Sequence, residues 1–490
     1  MFEALVAGVV ALMQPVVLAG MFLGIILGLV VGILPGVGPL VLYSLCLPYV
    51  YGMKPEVALG FMVALGSVVS TAGPVTAALL NVPGETSSAA AMQDSFPLTQ
   101  QGEGGRAIGA AVFSSMVGGV FPVFIAMAMI PVMIPALLLF KSPEKCVMVL
   151  VGLSFLATLA SRSVYKGLIA GMLGMLLAAV GFQDQTGTAR FTFGTVFLHQ
   201  GIPLTALALG MFGLAEILDM YVEAETNIAK GMAEKVSGVL DGIKDVIRHW
   251  RLCIYSSIIG YIVGIIPGIG GSVAAWVCYG HAKMTSGHPE KFGRGAIEGV
   301  IAPEAADNAK ESGALLTTMA FGIPGNSSMA ILLGAFVLLG VTPGPDMLTT
   351  KLPLAFTLLL GVAFANIIGG AICLIWAKQL CRIAFVHVDF LAPAIVVMIF
   401  VGAFVGTYSI ISVLAAIGFG LLGYGMKRLE YPRAPLILGF ILGSMFEYYL
   451  SISLKVRGPL FFLTPISLIM IALIIALYGF TYLKAVRRKA

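Results

Sequence analysis

Four short Pro-Gly runs hold the residues with most scope for chemistry. GILPGVGP at 32–39 and GIIPGIGGS at 264–272 form one pair, NVPGETSS at 81–88 and GIPGNSS at 322–328 the other. All four interrupt apolar sequence. Proline ends a helix, and the groups it frees lose their partners inside the helix. In lipid such groups persist only where protein buries them or a watery cavity receives them. The departing helix end offers carbonyl oxygens to a hard cation such as Na⁺. The next helix start offers N–H groups and a positive dipole end to an anion. Candidate substrate contacts are Gly36, Gly38, Asn81, Pro83, Gly84, Thr86, Ser87, Ser88, Gly268, Gly270, Gly271, Ser272, Pro324, Gly325, Asn326, Ser327 and Ser328. Candidate cation ligands are Gly36, Asn81, Gly268 and Gly322, largely through their carbonyls, with the side chains of Glu304 and Asn308.

Those last two belong to PEAADNAKESG at 303–313, which sets Glu304, Asp307, Asn308 and Glu311 at helical spacing on one face. Acids beside a membrane span mark either an ion path or a solvated helix end. The basic loop HAKMTSGHPEKFGR just upstream favours the solvated end. No Arg or Lys reads as intramembrane, so anion charge falls to helix N-termini and a bound cation. Glu216, Asp219, Asp389 and Glu447 lie near span ends and read as interfacial.

The elements that must position these residues are membrane helices. Of 490 residues, 59% are hydrophobic and 10% charged, more apolar surface than a soluble core absorbs. The net charge of +5 sits mainly in short loops, which makes it a topology signal and excludes a nucleic-acid surface. The six cysteines form no CxxC pair and read as buried thiols. The acid in MFEALVAGVVALMQP argues against a cleavable signal peptide. No HExxH, no GxxxxGK[ST] and no GxSxG in a strand-turn-helix setting is present, and no catalytic pair is legible at bilayer depth. No enzyme, no ATPase and no organic cofactor is expected.

After an amphipathic opening at 2–12, spans are predicted near 16–34, 56–80, 106–130, 143–160, 165–181 and 203–222. They resume near 252–266, 295–321, 328–342, 354–377, 389–406, 408–426, 434–450 and 464–484. The runs at 40–50 and 272–282 are too short to cross and read as return arms of re-entrant hairpins. The polar stretch 223–251 divides the chain as a cytoplasmic linker. Basic segments such as KRLEYPR and the end KAVRRKA put the C-terminus in the cytoplasm, with Lys141 and Lys145 outside against the rule.

Pro35 matches Pro267 at an offset of 232, and Pro83 matches Pro324 at 241. The spans that follow match one for one, yet the loop QDSFPLTQQGEGGR is predicted inside while the loop after GIPGNSS is predicted outside. The halves then run in opposite senses. The expected fold is an all-α polytopic membrane protein of about 11–12 spans, with two inverted repeats, broken helices and re-entrant hairpins. The first repeat occupies 1–222 (hairpin part 16–105, further spans 106–222) and the second 252–450 (hairpin part 252–345, further spans 354–450), with a C-terminal helix and basic tail at 451–490.

GILPGVGP, LLNVPGETSSAA, FPLTQQGEGGRAIG, GIIPGIGG, PEAADNAKESG and FGIPGNSSMAILLGAF are similar, in order and over nearly the whole chain, to the large permease subunit of the tripartite tricarboxylate transporters, the TctA family. The resemblance implies a secondary transporter of the bacterial inner membrane. It implies a periplasmic solute-binding protein of the TctC type and a small membrane subunit of the TctB type. Na⁺ coupling, carboxylate substrates such as citrate and an elevator mechanism are implied in the same way. Two other readings stay open: a proton-coupled transporter of another small organic solute, and a channel.

Overall fold

The computed structural model describes residues 1–34, 38–81, 87–159, 163–183, 186–223, 238–267, 270–383 and 388–487. It is helical almost throughout, with one two-stranded hairpin in which Gly181–Phe182 pairs antiparallel with Ala189–Arg190. Helices start where the sequence puts a proline: Pro15–Ile33, Pro39–Cys46, Pro55–Leu80 and Pro465–Arg487 all have Pro at the first position. There the missing N–H would lack a helical partner in any case. Among the described residues, six helices are long and apolar enough to cross a membrane, and the chain is a multi-pass membrane protein.

One series of elements occurs twice. In the first half Pro15–Ile33 breaks off before Pro39–Cys46; then Pro55–Leu80 ends at Asn81, Ala89–Gln100 follows, and the long helix Gly104–Leu138 comes next. In the second half Trp250–Ile265 breaks off before Gly270–Thr285; then Glu298–Phe321 ends at Gly322, Ser327–Leu338 follows, and Leu352–Ile375 comes next. The two helix ends share a left-handed cap, with Asn81 at φ 55° and Gly322 at φ 67°. Glycines recur every four residues at 20–32 and 260–268, a stripe that lets backbones touch. A Cβ on Gly28 or Gly32 would strike the carbonyls of Leu65 or Val69; one on Gly260 or Gly264 would strike those of Ala306 or Lys310.

Several predicted boundaries need correction. The expected span at 328–342 is the 12-residue helix Ser327–Leu338, too short to cross hydrocarbon, and its chain turns at Gly340, φ 68°. The span at 106–130 belongs to a 35-residue helix, Gly104–Leu138, which runs through Pro122, Pro131 and Pro135. QDSFPLTQ is no loop but most of the helix Ala89–Gln100. The linker contains the helix Val239–Arg248, packed on Gly104–Leu138 where Gly109 and Gly242 bring the two backbones together. The opening helix Phe2–Leu12 packs Gly8 against Phe356, and Thr357 donates to the Gly8 carbonyl at 3.1 Å. Cys46, Cys146, Cys253, Cys278 and Cys373 are buried, as expected.

Candidate functional site

The helix Glu298–Phe321 runs through the protein interior, with every residue from Gly299 to Ala320 buried. The expectation of a solvated end at PEAADNAKESG is therefore wrong. Its acids sit mid-helix: Glu304, Asp307 and Asn308 are each 1% exposed, Lys310 is 3% exposed and Glu311 is buried. The expectation that no cation lies in the interior fails at Lys310. A buried charge persists only when compensated, and here the compensation is local. Lys310 Nζ pairs with Asp307 Oδ1 one turn back and stands 3.6 Å from Glu311 Oε1.

Both Pro-Gly runs of the second half reach this pair. The Lys310 ammonium fills the space a Cβ on Gly271 would need, and Gly264 lies against the Lys310 carbonyl. Gly325 is wedged between Ala314 and Gly264, with its would-be Cβ only 2.7 Å from the Gly264 carbonyl. Asn326 does two things. Its Oδ1 accepts from Met329 N at 2.8 Å and caps the helix Ser327–Leu338; its Nδ2 donates to Glu311 Oε1 at 3.2 Å. One asparagine thus ties the helix start to the charged group.

Two further groups lie along the same helix. Asn308 Nδ2 donates to Thr71 Oγ1 at 2.7 Å and to Asn366 Oδ1 at 2.6 Å, and Thr71 donates to Asn366 Oδ1 at 3.0 Å. Among the described residues Asn308 Oδ1 and the buried Ser312 Oγ, one turn apart, meet no hydrogen-bond partner. Ser115 Oγ donates to Glu304 Oε2 at 3.2 Å. Below, the buried carboxylate of Asp94 accepts from the backbone N–H groups of Gly293, Gly295 and Ala296 at 2.8–2.9 Å and from Tyr279 at 2.9 Å. It anchors the segment that leads into the charged helix.

Of the predicted contacts, Gly271 meets Lys310 and Asn326 meets Glu311, Gly325 packs on Ala314 and Gly264, and Pro324 is buried beside them in sequence. Ser327 and Ser328 open the next helix half-buried, Gly270 opens Gly270–Thr285, and Ser272 follows it. Glu304 and Asn308 lie on the same helix as the Lys310 pair. Gly322 is the left-handed cap, and its N–H donates to Thr318 O at 3.0 Å. Gly38 caps Pro39–Cys46, and Asn81 is exposed. Ser87 and Ser88 are buried, and their hydroxyls meet no partner among the described residues, so they do not cap Ala89–Gln100. Gly36, Pro83, Gly84, Thr86 and Gly268 lie outside the described residues.

The acids read as interfacial form pairs. Glu216 accepts from Lys427 at 2.8 Å and Arg433 at 3.0 Å, Asp219 faces Lys427 at 2.5 Å and Arg428 at 3.2 Å, and Glu447 holds Arg190 through two bonds of 2.6 and 2.9 Å. The side chain of Asp389 lies outside the described residues. Sequence reasoning missed Lys310, Thr71, Asn366, Ser115 and Asp94. Of these only Lys310 carried a local signal, the i,i+3 spacing from Asp307 within a stretch small on every face.

Broken helices around a charged group enclosed among apolar spans define a polytopic membrane transporter. The chain belongs to the tripartite tricarboxylate transporter TctA family, whose model matches residues 18–438. It is 32% identical over 464 residues to a 52.8 kDa protein of the TAR-I ttuC' 3' region of Agrobacterium vitis, covering 92% of this chain and 90% of that one. It is 33% identical over 237 residues to a protein of the TAR-II ttuC' 3' region of the same organism, covering 47% of this chain and 96% of that one. No solved structure matches.

Proposed function

We propose that this chain is the large permease of a binding-protein-dependent, Na⁺-coupled importer of carboxylates in the bacterial inner membrane, its C-terminus cytoplasmic. A TctC-type binding protein delivers the solute, and a TctB-type subunit completes the membrane complex. The observation that carries the reading is a charged group buried on one helix at a helix break. Glu304, Asp307, Lys310 and Glu311 lie on Glu298–Phe321, and two Pro-Gly breaks touch that group. Carboxylate and carbonyl oxygens gathered at a helix break are ligands of the kind a hard cation takes. The neighbouring helix start at Ser327, whose first N–H groups have no acceptor inside the helix, favours a substrate carboxylate. Cation and anion then occupy one broken segment, so each stabilises the other's binding.

The twice-used element series and the glycine contacts at matching offsets support a repeat, which we read as inverted, with an elevator movement of the broken-helix parts as the proposed mechanism. The test is uptake of labelled citrate and smaller carboxylates into vesicles holding this chain, its small subunit and its binding protein. An inward Na⁺ gradient is compared with a matched K⁺ gradient. Uptake only with Na⁺ and the binding protein is the expected result. Equal uptake under both gradients removes Na⁺ and turns the reading to protons, with the carboxylates from Glu304 to Glu311 as carriers.

A further inference from the structure

The helix Val239–Arg248 divides into three sectors at the helical period. Gly242, Asp245 and Val246 are buried against Gly104–Leu138, where Asp245 accepts from Arg106 Nε at 2.5 Å. A second sector holds Leu240 and Ile247, 70% and 60% exposed, with Ile243 between them. The third sector, adjoining the apolar one, holds Lys244 and Arg248, whose side chains are 71% and 77% exposed. The chain bends at His249 and continues at once into the apolar helix Trp250–Ile265. Trp250 is 57% exposed, and Arg251 stacks its guanidinium 5.6 Å from the Trp250 ring. Arg251, Tyr255 and Ile262 then form one exposed stripe along that helix, spaced i, i+4, i+11.

We propose that the outer face of Val239–Arg248, with Trp250 and Arg251, is a binding surface for anionic phospholipid in the adjoining leaflet. Leu240, Ile247 and Trp250 enter the acyl boundary, and Lys244, Arg248 and Arg251 hold headgroup phosphates. Continuity selects lipid as the occupant. The stripe beginning at Arg251 runs along an apolar helix whose outer side faces hydrocarbon, so the amphipathic face joined to it lies at headgroup depth. Charge selects the lipid class, because three cations flank the apolar sector; the acids beside them are Asp241, held by Lys244 at 2.8 Å, and the buried Asp245, held by Arg106 and 3.8 Å from Arg248. A protein partner would call for an apolar patch with fewer charges at its centre.

The test uses the full chain in nanodiscs with Trp276→Phe and Trp376→Phe, which leaves Trp250 as the sole tryptophan of the three. Trp250 fluorescence is quenched by lipid spin-labelled near the headgroup and resists iodide. Native mass spectrometry of the purified chain shows retained phosphatidylglycerol, and Lys244→Gln with Arg248→Gln and Arg251→Gln lowers that retention by roughly tenfold or more while phosphatidylcholine is unaffected. Quenching by iodide and not by lipid puts the face in water and overturns the proposal. Protection from both quenchers means that protein covers it, which also overturns it. Unchanged phosphatidylglycerol retention in the triple variant removes the role of the cations. The quenching measurement leaves all three cations in place, so it stands even if the triple variant folds poorly.

Discussion

The two broken helices share a backbone and differ in chemistry. Pro55–Leu80 and Glu298–Phe321 are both buried along nearly their whole length, both end in a left-handed cap, and both receive glycines of a preceding helix on their carbonyls. Shifted by 241 residues, Glu304, Asp307, Asn308, Lys310 and Glu311 fall on Val63, Gly66, Ser67, Val69 and Ser70. None of those five is an acid or a base, so that helix carries no net charge there; Ser67 donates within its own turn, to Val63 O at 2.8 Å. The helix that follows each first break, Pro39–Cys46 or Gly270–Thr285, is an arm laid on the broken helix, and the two contacts are reciprocal. In the first half Tyr43 of the arm fills the space at Gly66 of the broken helix; in the second, Lys310 of the broken helix fills the space at Gly271 of the arm. The same packing device therefore builds a neutral contact in one half and an ionic one in the other. A recurring series of elements sets where helices break, while a few side chains decide which break carries charge.

The comparison fails first if Lys310 is not a buried compensated charge. Lys310→Met leaves Asp307 and Glu311 in the interior without it, and removing one partner of such a pair costs about 3–5 kcal/mol. The expected outcome is a large drop in the melting temperature of the purified protein and loss of uptake. Adding Asp307→Asn to Lys310→Met restores most of the melting temperature but not uptake. An unchanged melting temperature in Lys310→Met would mean that the two helices are chemically alike.

Matched glycines test the shared frame. Gly32→Ala drives a methyl into Val69 O, and Gly264→Ala drives one into Lys310 O. Each overpacks a backbone contact at about 1–3 kcal/mol, with similar falls in melting temperature expected. Only Gly264→Ala should also abolish uptake, because it shifts the helix that bears Lys310. Equal loss of uptake from both would show that transport depends on packing alone.

Asn326→Ala removes the cap of Ser327–Leu338, worth about 1 kcal/mol, together with the bond to Glu311. Uptake should fall sharply while membrane insertion persists, and Ser327→Ala should act in the same direction. Asn326→Asp keeps the cap acceptor but adds an acid beside Glu311, so stability largely recovers and uptake does not. Wild-type uptake in Asn326→Ala would remove the helix break from the site.

Glycine and proline made the frame legible, since their effects on the backbone are local and need no knowledge of the neighbours. The stripes at Gly28, Gly32, Gly260 and Gly264, the four breaks and the start of the helix at Ser327 could all be read that way. Burial of the charged segment could not. Its neighbours in sequence are the basic residues of 281–294, which suggest water, whereas its neighbours in space are Thr71, Ser115 and Asn366, brought from other helices. A charge is placed inside by partners, and partners far away in sequence leave no periodic trace. The short helix Ser327–Leu338 was misread for a related reason. Its apolar run continues to Val341, but the chain turns at Gly340, and hydropathy does not register a turn made by one glycine.

The smallest expected effect concerns the two caps. Asn81 and Gly322 both sit in the left-handed region, which glycine enters freely and asparagine tolerates better than other residues. A Cβ on Gly322 would meet only Pro343 and Met445, at 3.6 and 3.8 Å, ordinary contact distances. Space therefore does not demand glycine there; backbone conformation does. Asn81→Gly and Gly322→Asn should each change stability by no more than about 0.5 kcal/mol, whereas Gly322→Val, β-branched at positive φ, should cost about 1–2 kcal/mol. Uptake separates conformation from chemistry. If Gly322→Asn transports normally, the caps are interchangeable hinges and the difference between the halves lies wholly in the side chains from Glu304 to Glu311. If it melts normally but no longer transports, the Gly322 backbone takes part in the site, and the matching exchange Asn81→Gly should leave uptake unchanged.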